Sequence, residues 1–453
     1  MLRKNKLKHS YWQLSPVQFL SLGFLSTILI GGFLLSLPFA ASNHQPTNLI
    51  DALFTATSAV CVTGLVTLNT ALHWSLAGKL IIMLLIEIGG LGFMSFTVFI
   101  LFLSKRKVNL KMRIIMKEAL NIDELSGGIN LVIYILKFSI GVQLLGALLL
   151  MIDFIPKYGI GKGIFYSVFH AISAFCNAGF DLFGNSLESF QKNPYVLLVL
   201  SLLIVAGGLG FIVWRDLLTY KKNKRFSFHT KLTLIVTSLL LMSGFVLFLL
   251  IEGNLGQMSS LNWFDRMMNT LFLAITPRTA GFNSISYNDL SYASILLTCF
   301  FMYIGGSSGS TAGGLKTSTF GVLVIHALSI FKGKEETQFL GRTINIKIVN
   351  RAFVLLFTTM SIITTAIVLL SITETLPENV GIEYIIFEVF SAFGTVGVTL
   401  GLTSELTDIG KFLVMGLMFI GRVGIFTILL SLIKKDTTHT GKIRYPEETT
   451  IIG

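Results

Sequence analysis

Apolar residues in this chain gather into long unbroken runs, and shorter semi-apolar runs lie between them. Stretches of about 20 or more mostly apolar residues, the length a helix needs to cross a bilayer core of about 30 Å, fall at 17–40, 76–103, 131–155, 196–218, 232–251, 352–372 and 412–432. An eighth is split into 295–304 and 320–331 on either side of a Gly/Ser-rich break. The first is read as a span, because no small-residue cleavage site leads from it into an ordinary soluble domain as a signal peptide requires. Within each successive pair lies a stretch of about half the crossing length, at 48–59, 163–174, 263–275 and 382–393. A half-length helix followed by irregular backbone is tolerated at membrane depth only where it is packed in protein or lines water. The pattern predicts an all-α membrane protein of eight spans, made of four units of helix, re-entrant half-helix with return loop, and helix.

Two short motifs recur in phase with those units. Phe-x-x-x-Ser-Ala-x-x-x-x-Gly occurs as Phe54/Ser58/Ala59/Gly64, Phe169/Ser173/Ala174/Gly179 and Phe387/Ser391/Ala392/Gly397. A looser copy, with Phe272 and Thr276 one residue nearer its glycine, ends at Gly281. The four glycines are spaced 115, 102 and 116 residues apart. A second motif begins 24 to 28 residues after each and places Gly89-Gly90-Leu91-Gly92, Gly207-Gly208-Leu209-Gly210, Gly305-Gly306-Ser307 and Gly421-Arg422-Val423-Gly424 at equivalent positions. Two motifs repeated in one order at one period mean four copies of one unit, with bounds at 1–113, 114–227, 228–340 and 341–435 and a tail at 436–453.

Composition agrees with the membrane reading: 53% hydrophobic, 13% charged and a mean hydropathy of +0.76, far from the soluble balance. The net charge of +12 is mostly topology. Arg3, Lys4, Lys6 and Lys8 precede the first span, and Lys105, Arg106, Lys107, Lys111, Arg113 and Lys117 follow the second. Lys221, Lys222, Lys224 and Arg225 follow the fourth, Lys332 and Lys334 the sixth, and Lys434, Lys435, Lys442 and Arg444 the eighth. With eight crossings these loops all face the cytoplasm, both termini are cytoplasmic, and the re-entrant loops open to the outside. The basic runs lack the interleaved aromatics of a nucleic-acid surface. Enzymatic readings also fail: seven histidines show no metal-ligand pairing, Cys61, Cys176 and Cys299 have no CxxC spacing, and no phosphate-cradling loop follows a strand.

Four loops entering from one side are parallel repeats that surround one axis with pseudo-fourfold symmetry. An ion crossing there needs its hydration shell replaced, which rings of backbone carbonyls can do, and glycine lets carbonyls aim inward with no side chain filling the pore. The candidate carbonyls are those of Val62, Thr63 and Gly64; Asn177, Ala178 and Gly179; Thr279, Ala280 and Gly281; and Thr395, Val396 and Gly397. No acidic side chain stands in these runs, so selectivity does not rest on a carboxylate ring. The bland alternative is that these are helix-packing glycines; four in phase, each closing a half-length helix, weigh against it.

The third unit carries the break Gly305-Gly306-Ser307-Ser308-Gly309-Ser310-Thr311-Ala312-Gly313-Gly314-Leu315-Lys316-Thr317 in its second helix, which no helix carries unbroken. Flexible backbone below such a ring is a candidate gate, with a cytoplasmic linker as the alternative. Arg422 stands where the other units have Gly90, Gly208 and Gly306. A guanidinium at membrane depth is costly and faces a cavity or partner unless it snorkels, and a fixed positive charge below a cation path raises its barrier. Glu87 suits a structural hydrogen bond, Arg278 the bracing of the third loop, and Lys316 the positioning of the break.

The runs Ser58-Ala59-Val60-Cys61-Val62-Thr63-Gly64-Leu65, Phe175-Cys176-Asn177-Ala178-Gly179-Phe180-Asp181, Thr276-Pro277-Arg278-Thr279-Ala280-Gly281-Phe282-Asn283 and Phe393-Gly394-Thr395-Val396-Gly397-Val398 resemble the Trk/Ktr/HKT superfamily of potassium transporters over essentially the whole chain. With no extra leading helices before the first unit, the chain is most similar to the Ktr-type membrane subunit, of KtrB or KtrD kind. The resemblance implies potassium as the transported ion, bound at the filter, and glycine rather than serine at Gly64 goes with potassium preference. It also implies an intramembrane gate loop acting with Arg422. A homodimer is implied, seated on a cytosolic ring of RCK-type nucleotide-binding regulatory subunits such as KtrA/KtrC, which would carry the ATP or ADP. No cofactor is expected on this chain, and sodium as an activator stays open. Segments 105–128, 331–345 and 434–453 suit docking to such a ring. The competing class is a secondary transporter with a midplane substrate site on discontinuous helices.

Overall fold

The computed structural model describes residues 16–92, 128–253, 255–376 and 380–424. The first and last basic clusters, the loop basic residues at 105–117, and the docking segments at 105–128 (but for its last residue) and 434–453 lie outside the described residues. The α-helices of more than four residues, in chain order, are α1 Pro16–Ser36, α2 Leu49–Cys61, α3 Leu76–Leu91, α4 Gly128–Tyr158, α5 Ile160–Cys176, α6 Pro194–Leu209, α7 Phe211–Asn223 and α8 Phe228–Glu252. They continue as α9 Trp263–Ile275, α10 Tyr292–Tyr303, α11 Thr317–Phe331, α12 Ile346–Thr373, α13 Ile382–Gly394 and α14 Asp408–Val423. A two-residue β-ribbon, Gln338–Phe339 against Arg342–Thr343, joins α11 to α12.

Four of these helices are long and apolar enough to cross a membrane alone, at Gln18–Ser36, Asn130–Tyr158, Phe228–Glu252 and Ile346–Thr373. Their outward faces carry exposed Leu, Ile and Phe, such as Leu29, Leu148, Leu250 and Phe357, as a lipid-facing surface does. The half-length stretches form α2, α5, α9 and α13, whose buried residues concentrate toward their C-terminal turns.

The runs expected at 76–103, 196–218 and 412–432 each contain a helix end, and 93–103 and 425–432 lie outside the described residues. α3, α6 and α14 are each 16 residues long, about 24 Å at 1.5 Å per residue. Each stops at the last glycine of the second motif, where Gly92, Gly210 and Gly424 have φ of 84°, 93° and 88°. A positive φ ends an α-helix and is open chiefly to glycine. After Gly210 the chain resumes as α7 at 95° to α6. In the third unit the interruption is longer, from the end of α10 at Tyr303 to the start of α11 at Thr317.

Polar side chains fasten the start of these second helices. Ser75, Asn193, Ser291 and Thr407 cap α3, α6, α10 and α14 by accepting from backbone N–H groups. In three units an acid near the C-terminus of the long helix grips that cap. Asp153 accepts from Asn193 Nδ2 at 2.8 Å. Glu252 accepts from the Ser291 amide and hydroxyl at 2.8 and 2.5 Å, and Glu374 from those of Thr407 at 2.8 and 2.7 Å. One ion pair, Lys411 Nζ to Asp51 Oδ1 at 2.8 Å, ties α14 to α2 and so the end of the described chain to its beginning.

Candidate functional site

The four half-length helices end alike because one hydrogen-bonding scheme closes them. In α2, α5 and α13 the residue after the helix is left-handed, at Val62, Asn177 and Thr395 with φ of 57°, 59° and 51°. Thr63, Ala178 and Val396 then donate back to the carbonyls of Ser58, Ser173 and Ser391, the six-to-one bond of a Schellman closure. In α9, where the motif is one residue shorter, Ala280 donates to the Thr276 carbonyl, so the equivalent acceptor is used and Thr279 takes the left-handed turn, with φ of 72°. Left-handed Val62, Thr279 and Thr395 are β-branched, a strain of about 1–3 kcal/mol each that the buried surroundings hold in place.

The repeated Ser or Thr locks the next turn through its side chain. Ser58 Oγ and Ser391 Oγ accept from the amides of Gly64 and Gly397 at 3.0 and 3.1 Å. Ser173 Oγ donates to the Phe180 carbonyl at 2.8 Å, and Thr276 Oγ1 to that of Phe282. The glycines then return to positive φ, 100° at Gly64, 70° at Gly179, 80° at Gly281 and 96° at Gly397, with a negative-φ residue before each.

These glycines meet. A Cβ placed on Gly64 would lie 2.6 Å from the Ala178 carbonyl oxygen, and one on Gly179 would lie 3.0 Å from that of Ala280. On Gly281 it would lie 2.6 Å from the Val396 oxygen, and on Gly397 it would overlap the Thr63 oxygen. Each glycine therefore borders the carbonyl preceding the next loop's glycine, and the relation closes into a cycle. Thr63, Ala178, Ala280 and Val396 are all fully buried, so these carbonyls form a constriction inside the protein. Asn177 and Thr279 share a 3.2 Å side-chain hydrogen bond across two of the loops.

The second motif seats the constriction from below. A Cβ on Gly89, Gly207 or Gly421 would overlap the carbonyl of Val60, Phe175 or Phe393, each four residues before a loop glycine. These glycines let the second helices lie flush against the ends of the half-helices. The segment 304–316 packs in the same layer. Ser307 and Thr311 amides donate to Gly208 and Gly207, the Phe211 amide donates to Gly309, and Thr311 Oγ1 donates to the Phe175 carbonyl at 3.1 Å. Gly313 abuts the Thr395 side chain closely enough to exclude a Cβ.

Arg422 binds this segment to another element. Its guanidinium donates to the Thr311 carbonyl and to the carbonyls of Gly89 and Gly90, the last at 3.0 Å. Gly89 and Gly90 belong to the last turn of α3, where unpaired carbonyls and the helix dipole favour a cation. No carboxylate lies within ion-pair distance of Arg422 among the described residues. Lys316 Nζ donates to the Ala312 carbonyl at 2.7 Å. Arg278 donates to the Gly305 carbonyl and to Thr317 Oγ1 at 3.3 and 3.0 Å, and Glu87 accepts from Gln143 Nε2 at 3.0 Å and lies 3.5 Å from Cys176 Sγ.

The candidate loop residues 62–64, 177–179, 279–281 and 395–397 and the candidate gate residues 305–314, Lys316 and Arg422 thus fall in two adjoining layers, the loop glycines with their carbonyls and the 304–316 segment with Arg422. Sequence reasoning missed the acids that grip the caps, and it missed two buried polar residues one position past the motif phenylalanine, His170 and Glu388. The missed signal was a charged or titratable residue inside an otherwise apolar half-helix.

Apolar helices that enclose a buried ring of backbone carbonyls suit an integral, multi-pass membrane transport protein. The profile of the cation transport protein family TrkH matches residues 17–439, and the chain belongs to that family. A protein of Enterococcus hirae described as potassium/sodium uptake protein NtpJ is 54% identical over 97% of this chain and 98% of its own length. The Ktr system potassium uptake protein B of Bacillus subtilis is 42% identical over the full length of both. The crystal structure of the potassium transporter TrkH from Vibrio parahaemolyticus superposes with a TM-score of 0.74 at 18% identity, over 94% of this chain and 86% of that one; at that identity the likeness speaks for the fold. The resemblance carried by the loop motifs holds at the level of the family and its Ktr-type membrane subunits.

Proposed function

We propose that this chain is the ion-conducting subunit of a potassium uptake system, with eight spans in four pseudo-fourfold units and the repeat bounds given above. Its filter consists of the Val62–Gly64, Asn177–Gly179, Thr279–Gly281 and Thr395–Gly397 carbonyls. The observation that carries this reading is the closed cycle in which each loop glycine borders the next loop's carbonyl. Buried carbonyl oxygens can replace the water around a dehydrated monovalent cation, and the two close relatives are named for potassium uptake. The name of one also includes sodium, which supports sodium as a co-substrate or activator.

The 304–316 segment and Arg422 form the gate in this reading. In the closed state Arg422 anchors the segment beneath the filter and adds a positive charge to the cation path. Opening exchanges the bonds that tie the segment to α5, α6, α7 and Arg422. Each such bond has a net value of about 1 kcal/mol, so the total is within reach of a regulatory subunit. The relatives named as Ktr system proteins support a nucleotide-binding, RCK-type cytosolic ring as that regulator, under a homodimer of this chain with cytoplasmic termini.

Tracer potassium and sodium uptake by cells lacking their own potassium uptake tests the reading, with wild type compared to Gly281→Asp. A side chain at Gly281 must displace the Val396 carbonyl or the Gly179 backbone, 2.6 and 2.7 Å from its Cβ position. Loss of potassium uptake in the variant at wild-type abundance is expected; uptake indifferent to the substitution would count against the filter and favour a midplane carrier.

A further inference from the structure

Glu388 and His170 occupy one register position in two different units, directly after the motif phenylalanines Phe387 and Phe169. Both are fully buried in half-helices. Both reach across to the chain that returns from the loop glycine. Glu388 accepts from Thr399 Oγ1 at 2.7 Å and from Thr403 Oγ1 at 2.6 Å, one hydroxyl on each carboxylate oxygen. His170 Nε2 accepts from the Leu182 amide at 3.3 Å, while Nδ1 lies 2.7 Å from the Tyr166 carbonyl. With Nε2 as acceptor, Nδ1 carries the proton, and the ring is further clamped by stacking on Phe183 at 4.3 Å between centroids.

The other two units have nothing comparable at this register. Thr55 donates to the Asp51 carbonyl of its own helix at 2.9 Å, and Leu273 is apolar. In the cycle of carbonyl and glycine contacts, the loops ending at Gly179 and Gly397 are not neighbours but face each other. The ring therefore has two opposed loops with a second buried strap at this register and two that carry only the Ser or Thr lock.

We propose that Glu388 and His170 are positioning residues of the filter: each holds the returning limb of its loop against the half-helix, and the strapped pair sets the spacing on which discrimination between potassium and sodium depends. A hydrogen bond to a buried carboxylate is stronger than one between neutral groups, and a polar group left without its partner inside the protein is costly. Glu388 is thus the firmer strap. Neither side chain touches the ion path, so each acts through the backbone it holds. The inference rests on the filter reading above and adds an unequal division of labour among the four loops.

The test uses the full chain in cells without potassium uptake of their own, with abundance in the membrane measured for every variant, and reads the potassium-to-sodium uptake ratio and the potassium KM. Glu388→Ala, and Thr399→Val with Thr403→Val, are each expected to lower the ratio by about tenfold, the equivalent of one such bond. His170→Ala lowers it less, and His170→Gln, which restores an acceptor at reach, recovers most of the loss. Thr55→Val leaves the ratio unchanged. Wild-type selectivity in Glu388→Ala and in the double threonine variant at wild-type abundance would overturn the inference while leaving the filter reading intact, as would an equal loss in Thr55→Val. A wild-type chain that does not prefer potassium would overturn the filter reading itself.

Discussion

Glycine positions in this protein are dictated by neighbouring carbonyls in space rather than by chain flexibility. Gly64, Gly179, Gly281 and Gly397 need a positive φ and also the absence of a Cβ, because a carbonyl from the next loop occupies its place. Gly89, Gly207 and Gly421 need only the second condition. Arg422 interrupts this series with a long cation at a position that is glycine elsewhere, and it uses the space to reach three carbonyls on two elements. Replacing it with Ala removes both the positive charge and the anchor of Thr311, so cation flux is expected to rise severalfold at equal abundance, a change of about 1 kcal/mol in the barrier; unchanged tracer flux would remove Arg422 from the gate. The importance of this residue was legible in the sequence as a charge within an apolar run. Glu388 and His170 carried a similar signal, but their partners at Thr399, Thr403 and Leu182 lie beyond a turn that spacing alone does not fold.

At the scale of elements, the half-helices and their loops were readable because the motif repeats with a fixed period and each copy is too short to cross a membrane. The helix ends at Gly92, Gly210 and Gly424 were not, since apolar residues follow each glycine and hydropathy cannot register a positive φ. The acids Asp153, Glu252 and Glu374 were invisible for a related reason. Each grips the cap of a helix, 40, 39 or 33 residues later at Asn193, Ser291 or Thr407, a separation that carries no periodic signal. The 304–316 segment was legible as a break, and its hydrogen bonds to Gly207, Gly208 and Phe211 show that α6 and α7 hold it. Deleting several residues within 305–314 would leave those bonds unmade. Such a deletion is expected to give uptake that no longer responds to nucleotide when a regulatory subunit is coexpressed; retained nucleotide control would place the coupling elsewhere.

At the scale of the whole molecule, the described chain closes on itself, with α14 fastened to α2 through Lys411 and Asp51. Both side chains are about seven-eighths buried, at 13% and 14% exposure, so removing one partner leaves a poorly solvated charge. Lys411→Met is expected to cost about 3 kcal/mol and to lower the melting temperature in detergent, and adding Asp51→Asn should recover part of it; a single variant that melts like wild type would show that the closure rests on apolar packing alone. Because one chain supplies every quarter of the ring, a single codon changes only a quarter of it. A pore assembled from four identical subunits changes at four places with every substitution and can be tuned only in large steps. Here the residues before the ring glycines already differ, as Thr63, Ala178, Ala280 and Val396, and selection can alter one quadrant while the other three keep their carbonyls in place.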